Sequence, residues 1–136
     1  MSIGTLVERI TYRDRVLACV IRADAEPNQT TFLTPPDYQM QLGFVVYPGS
    51  GAVPRHLHRP VERHVVGTPE VLLVRKGHCL MDTYDDDEQL VSTTELHQGD
   101  VIMLVAGGHG FRMVEDTVFL EVKQGPFNGP SDKRQF

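Results

Sequence analysis

Short runs of strand-forming residues, each bounded by a turn signal, limit the folds that this sequence can adopt. The clearest runs are VLACVIR, EVLLV, VIMLV and TVFLEVK. Gly, Pro, Asp or Asn punctuates the chain between such runs, and no long stretch has the periodicity of an amphipathic helix. Many short strands at close spacing are typical of a β-sandwich or β-barrel. We therefore expect an all-β protein.

The chain length of 136 residues suits one domain, 1–136, with a core that needs no disulfide or metal for stability. Residues 1–15 are interpreted as an N-terminal extension that holds a short helix or an edge strand. Residues 124–136 form a turn-rich, polar tail, either loosely packed or lying across a partner subunit. The alternation in residues 38–47 predicts a strand, and the acids of residues 85–88 are expected to be the solvated turn of a β-hairpin.

Composition excludes several classes of function. The formal net charge is −5, so the chain has no basic footprint for nucleic acid. Its apolar runs are far too short to cross a membrane. Glu8 and Asp14 stand where a signal peptide would need apolar residues, and Cys19 and Cys79 form no CxxC pair. We expect a cytoplasmic protein with two reduced, buried cysteines.

Three of the six histidines are candidate metal ligands. In a strand, residues i and i+2 share a face, so His56 and His58 would direct two imidazoles to one point. His109 follows a strand and the pair Gly107-Gly108, which lets the backbone approach a site closely. The alternative for His109 is a turn histidine bonded to local backbone. The others, His64, His78 and His97, are expected to be solvated or structural.

The HxH pair, Glu70 separated from Gly77 by six residues, the Gly99-Asp100 turn and His109 resemble the two motifs of the cupin superfamily. The stretches FLTPPDYQMQLG, HLHRPVER, GTPEVLLVRKG, VAGGHGF and EVKQGP are similar to those of a group of small single-domain bacterial cupins. Val105 and Met113 depart from the second motif, which has proline and asparagine there. The resemblance implies a double-stranded β-helix, or jelly-roll barrel, that is frequently a homodimer with a metal inside.

Two glutamates compete to complete this site. Glu62 has the motif's spacing from His58, whereas Glu70 has its spacing to Gly77. Residues 59–69 contain Pro and Gly and are expected to form a loop, while Glu70 begins a strand and shares a face with Leu72 and Val74. We favour Glu70, because a carboxylate on a rigid strand is held better than one on a loop.

The expected ligands, His56, His58, Glu70 and His109, suit one divalent transition metal, namely Fe, Mn, Ni, Zn or Cu. Such a site leaves coordination positions open, which indicates an oxygenase or an isomerase-like enzyme using Lewis-acid chemistry on a small polar metabolite, such as a sugar derivative or an oxo-acid. The alternative is a non-catalytic domain that senses a small ligand or a metal. No catalytic residue is assigned. Candidate substrate contacts, which could equally be outward polar positions, are Gln39, Gln41, Arg63, Glu121 and Lys123.

Overall fold

The computed structural model describes residues 6–136, and in this range the chain forms ten β-strands and one short 3-10 helix, Pro130–Asp132. The expectation of an all-β protein is confirmed. The strands are β1 (Glu8–Tyr12), β2 (Arg15–Ile21), β3 (Thr31–Phe32), β4 (Gly43–Phe44), β5 (Glu70–Lys76), β6 (His78–Tyr84), β7 (Leu90–His97), β8 (Val101–Leu104), β9 (Gly108–Met113) and β10 (Val118–Lys123). No helix in residues 6–136 is both long and apolar enough to span a membrane.

Two antiparallel sheets form a sandwich. The larger sheet has the order β1-β2-β8-β5-β10, and the smaller has the order β7-β6-β9. A two-stranded ribbon, β3-β4, lies beside them. Short turns connect β5 to β6, β7 to β8 and β9 to β10, so these pairs of consecutive strands lie in different sheets. Strands β9 and β10 therefore form the edges of the two sheets on the same side of the sandwich.

The inner core fills the space between the sheets. Val74 of β5 and Met81 of β6 are both fully buried there. Strand β5 alternates as expected, because Glu70, Leu72 and Val74 are buried and the residues between them are more exposed. The buried members of the inner core are Ala18, Val20, Leu72, Val74, Cys79, Met81, Leu96, Ile102 and Leu104.

A second core lies on the outer face of the larger sheet, where Cys19, Ile21 and Met103 are buried. Leu6, Val7 and Leu33 cover this face together with the alternating residues Tyr38, Met40, Leu42 and Phe44. The apolar side chains of residues 38–44 thus pack against the sheet, but the strand predicted over residues 38–47 is wrong beyond Gly43–Phe44. The Gln41 amide explains why, since it donates to the carbonyl oxygens of Pro35 and Tyr38, both at 2.9 Å, and so stabilises a turn.

The predicted hairpin of β6 and β7 is confirmed, with Cys79 opposite Leu96 and Thr83 opposite Ser92. Its acidic turn is only partly solvated. The Asp85 side chain is buried and accepts hydrogen bonds from the N–H groups of Asp87 (2.9 Å) and Gln89 (3.0 Å). Asp85 therefore closes the turn, as aspartate commonly does.

Both ends of the described chain pack against the sandwich. Residues 8–12 of the N-terminal extension form the edge strand β1, whereas residues 1–5 lie outside the described residues. In the C-terminal tail, the ring of Phe136 meets that of Tyr84 edge-to-face at 5.1 Å, and Arg134 forms an ion pair with Glu88. The tail thus contacts the β6–β7 hairpin of its own chain.

One long segment has no regular secondary structure. Residues 45–69 connect β4 to β5, and every residue from 45 to 64 is exposed. We call residues 45–66 the arm. The loop expected after His58 is confirmed, but the strand expected through His56 and His58 does not form within the chain. Both cysteines are free and buried, as expected, with Cys79 in the inner core and Cys19 in the outer one.

Candidate functional site between the two sheets

Glu70 and His109 approach each other across the sandwich. Glu70 is the first residue of β5 and is buried, and His109 lies on β9 opposite Thr83, which is itself buried and shares the inner face with Met81. Glu70 Oε2 and His109 Nε2 are 3.8 Å apart. The side chain of His109 is 33% exposed and that of Glu70 is 11% exposed. The pair therefore lies at an open end of the inner core.

Glu121 and Lys123 join Glu70 at this end. In the antiparallel ladder of β5 and β10, Lys123 is opposite Glu70 and Glu121 is opposite Leu72. Opposed residues in such a ladder project from the same face. Glu121 and Lys123 therefore share the inward face with Glu70, although both remain exposed. Lys123 Nζ also lies 5.8 Å from the centre of the Phe127 ring. Two of the candidate substrate contacts thus stand beside the Glu70–His109 pair.

The electrostatics of this end favour neutral side chains. Burial, followed by a hydrogen bond with Glu121 and the charge of Glu121, raises the pKa of Glu70 to about 7, against the opposing charges of Lys133 and Lys123. Burial also lowers the pKa of His109, with the charge of Lys133 acting in the same direction and that of Glu121 opposing it. The 3.8 Å contact is consequently no ordinary ion pair, because the imidazole is uncharged near neutral pH.

Gly107 and Gly108 allow the backbone path that positions His109. Gly107 has φ of +70°, and a Cβ there would collide with the carbonyl oxygen of Tyr84. A Cβ on Gly108 would come within 2.9 Å of the Phe136 ring. The sequence prediction that these two glycines allow a close backbone approach is confirmed, and β9 can begin directly beside β6.

The other two expected ligands do not join this pair within one chain. His56 and His58 are exposed on the arm, with their ring centres 5.3 Å apart in an edge-to-face arrangement. His56 Nδ1 lies 2.8 Å from the carbonyl oxygen of Pro54. The two imidazoles are therefore neighbours, although the strand that was expected to align them does not form within the chain. Across residues 6–136, however, Glu70, His109 and either of these histidines do not form a group with all ligand atoms within 4.8 Å.

The remaining candidates lie apart from the pair. With its amide oriented to satisfy both groups, Gln39 donates to Val66 O at 2.8 Å and accepts from Val66 N–H at 3.2 Å. The amide of Gln41 stabilises the turn after Pro35, and its Oε1 accepts a hydrogen bond from Thr34 Oγ1 at 3.0 Å. Glu62 and Arg63 are exposed on the arm. Gln39 and Gln41 thus form hydrogen bonds with backbone groups in this structure.

A second group of metal-ligand types lies at the opposite end of β6. His78 and His97 are directly opposed in the β6–β7 ladder, and their rings stack with centres 4.3 Å apart. Glu95 Oε1 is 2.6 Å from His78 Nε2 and 3.5 Å from His97 Nε2. Within the described part of the chain this is the one group of three ligand atoms lying within 4.8 Å of one another. Sequence reasoning missed it, although a registered β6–β7 hairpin would have revealed it.

Comparison with known proteins assigns the chain to no family. No family model matches the chain, and neither the curated proteins nor the solved structures include a significant match.

Proposed function

We propose that the Glu70–His109 end of the sandwich binds one divalent transition metal, with His56 and His58 completing the ligand set, in a protein of the cupin jelly-roll type. The approach of Glu70 to His109 carries this proposal. A buried carboxylate and an imidazole that is 33% exposed face each other from different sheets, at the open end of an otherwise apolar core. A separation of 3.8 Å allows one ion, with bonds of roughly 2.0–2.2 Å, to contact both donors.

The chemistry of the donors fits such an ion. Metal ligation requires a neutral imidazole, which burial of His109 favours. The adjoining carboxyls of Glu70 and Glu121 are costly to ionise together, and a divalent cation would relieve the repulsion between them. A mixed nitrogen and oxygen set suits Fe(II), Mn(II), Ni(II), Cu(II) or Zn(II) better than the hard ions Mg²⁺ and Ca²⁺.

We infer that the protein is an enzyme acting on a small polar metabolite. A bound ion of this kind supplies Lewis-acid chemistry, or dioxygen activation when it is iron or copper. The ammonium group of Lys123 binds and orients an anionic or hydroxylated substrate, because it stands next to Glu70 at the open end of the core. Glu121, in contact with Glu70, is placed to accept or return a proton at its carboxylate. Leu72 and Leu104 exclude water from the inner side.

The test is metal analysis of protein purified without a histidine tag, followed by an activity screen. We expect about one Fe, Mn, Ni, Zn or Cu ion per chain. Less than roughly 0.2 ion per chain, unrestored by adding these metals, would reject the proposal. A panel of sugar derivatives and oxo-acids, assayed with and without oxygen, then separates oxygenase from isomerase-like chemistry. Stoichiometric metal with specific ligand binding but no turnover would indicate the alternative function, a small-ligand or metal sensor.

A further inference from the structure

The arm is exposed to an extent that a protein working as a single copy rarely tolerates. Its apolar side chains include Leu57, which is 80% exposed, and Val66, which is 68% exposed. Exposed apolar groups concentrated in one segment commonly mark a surface that another chain covers. The exposed large apolar residues of the arm are Val45, Val46, Tyr47, Val53, Leu57, Val61 and Val66.

The backbone of the arm is also unpaired. Among residues 6–136, those from 47 to 65 make only two hydrogen bonds, both local: Gly51 N–H donates to Pro48 O at 2.8 Å, and His56 Nδ1 contacts Pro54 O. The first of these forms a turn near the start of the arm, so that residues 45–47 precede it and the longer part, residues 52–66, follows it. This longer part offers free backbone N–H and C=O groups, and such groups pair readily with the edge of a sheet.

Two matching edges stand open on one side of the sandwich. Strand β9 pairs only with β6, and β10 pairs only with β5, within the described residues. Alternate residues of β10 are exposed on the outward face, namely Val118 (51%), Leu120 (52%) and Val122 (58%). The longer part of the arm therefore has two open strands with which it can pair, one in each sheet.

The anchors of the arm direct it away from its own sandwich. Val46 N–H donates to Thr30 Oγ1 at 3.0 Å, and Val66 is held by the Gln39 amide at 2.8 and 3.2 Å. Gln39 lies within the segment that covers the outer face of the larger sheet, and Thr30 lies just before this segment. Both ends of the arm are thus fixed to the outer layer, and the residues between them extend into solvent instead of folding onto β9 and β10.

We propose that the arm docks on a second copy of this chain, with the residues after its turn along the open edges of β9 and β10, and that the exchange is reciprocal. His56 and His58 of one copy then face Glu70 and His109 of the other, so that each metal site is built from two chains. The metal part of this inference rests on the proposed function, but the exchange of arms does not. A closed two-fold dimer satisfies both arms and both pairs of edges.

The exchange is tested without metal by crosslinking chains of different mass. Leu57 is replaced by the photoreactive residue p-benzoylphenylalanine (Leu57→p-benzoylphenylalanine), and the variant is prepared once unlabelled and once labelled with nitrogen-15. The two samples are mixed, unfolded, refolded together and irradiated to form crosslinks. We expect dimers by native mass spectrometry, and crosslinked peptides joining position 57 to residues 108–113 that contain one light and one heavy chain. A monomer, crosslinks to β9 only between peptides of the same mass, or no crosslink to β9 or β10 would overturn the exchange.

The shared site is tested by complementation between two inactive chains. One chain carries His56→Ala with His58→Ala, and the other carries Glu70→Ala with His109→Ala, each with a different non-histidine affinity tag. Neither homodimer should bind metal, whereas the purified heterodimer should bind one ion, because one of its two sites contains no substitution. Mixed-mass crosslinks without recovered metal would reject the metal site and leave the exchange standing. Metal retained by the first variant alone would overturn the shared site.

Discussion

Glu70 and Glu121 project from the same face of two adjacent strands, and burial, followed by a hydrogen bond with Glu121 and the charge of Glu121, raises the pKa of Glu70 to about 7. A carboxyl whose pKa is higher in the folded state binds its proton more tightly after folding. The resulting stability is fully present below the ordinary pKa of 4.5 and is lost as the pH rises through about 7.

Glu70→Gln should remove this pH dependence. In chelator-treated protein, we expect the free energy of unfolding of the wild type to fall by on the order of 2 kcal/mol between pH 4.5 and 8. The variant, which cannot ionise at this position, should show a smaller fall. Urea titrations at several pH values measure both, and Glu62→Gln on the exposed arm is the matched control. Parallel pH profiles for wild type and Glu70→Gln would contradict the raised pKa.

The same two substitutions decide which glutamate binds metal. Glu70→Gln should reduce the bound metal at least tenfold, since it replaces an anionic ligand inside the core with a neutral amide. Glu62→Gln should retain most of the metal, because Glu62 lies on the exposed arm. Metal content after exhaustive dialysis provides the measurement. Equal losses, or a greater loss from Glu62→Gln, would reject Glu70 as the ligand.

Substitutions can show which of the two histidine groups binds the metal. If the Glu70–His109 end is the metal site, His109→Asn should remove the ion, whereas the combined change His78→Asn with His97→Asn should leave it in place. The second group lies at the other end of β6 and is more open, with Glu95 and His97 side chains 57% and 58% exposed. Metal analysis of both variants suffices. The reverse result would move the metal to His78, Glu95 and His97.

Asp82 should stabilise the smaller sheet. Arg112 donates to both of its carboxylate oxygens, at 2.8 and 2.9 Å, and Thr93 donates at 2.6 Å. The hydrogen bonds from Arg112, followed by the one from Thr93, lower the pKa of Asp82 to about 2. Asp82→Asn should cost about 1–2 kcal/mol at pH 7, after allowance for the exposed guanidinium.

Because the folded-state pKa of Asp82 is depressed, its stabilisation is present above pH 3.8 and is lost as the pH falls towards 2. The difference between wild type and Asp82→Asn should therefore shrink over that range in acid titrations. Asp87→Asn, at an exposed position in the neighbouring turn, should change stability little at any pH. A constant difference down to pH 2 would argue against the charged form as the origin of the effect.

Gly107→Ala should destabilise the protein by more than about 1 kcal/mol, because the positive φ and the nearby carbonyl oxygen of Tyr84 leave no room for a Cβ. Gly110→Ala on the same strand meets nothing within 4 Å and should change the urea midpoint only slightly. Equal effects of the two substitutions would show that backbone freedom at Gly107 is unimportant.

Local signals in the sequence predicted the parts of the site that lie on single strands. Alternation along β5 correctly placed Glu70 on the face of Leu72 and Val74, and the paired glycines correctly marked the close approach before His109. The alternation of side chains along a single strand could not predict that Glu70 and Glu121 lie near each other, because their proximity depends on the pairing of β5 with β10. The same limit applies to His78 and His97, which meet only through the register of β6 and β7.

The strand expected through His56 and His58 failed for a different reason. The spacing of the two imidazoles describes what they would do once the segment pairs with a sheet, but it does not specify which sheet. Within one chain, the arm is fixed at Val46 and Val66 to the outer layer and reaches no edge. Hydrophobic pattern alone cannot distinguish pairing within a chain from pairing between chains.

Each of the two cores contains one cysteine, Cys79 between the sheets and Cys19 under the outer layer. Burial is the main cause of the raised pKa of both thiols, so neither should react with an alkylating reagent until its core opens. Alkylation of Cys79 and of Cys19 therefore reports the opening of the inner core and of the outer core, respectively. Pulsed alkylation followed by peptide mapping would time the loss of the outer layer and of the sandwich separately, in the native chain and without an added label.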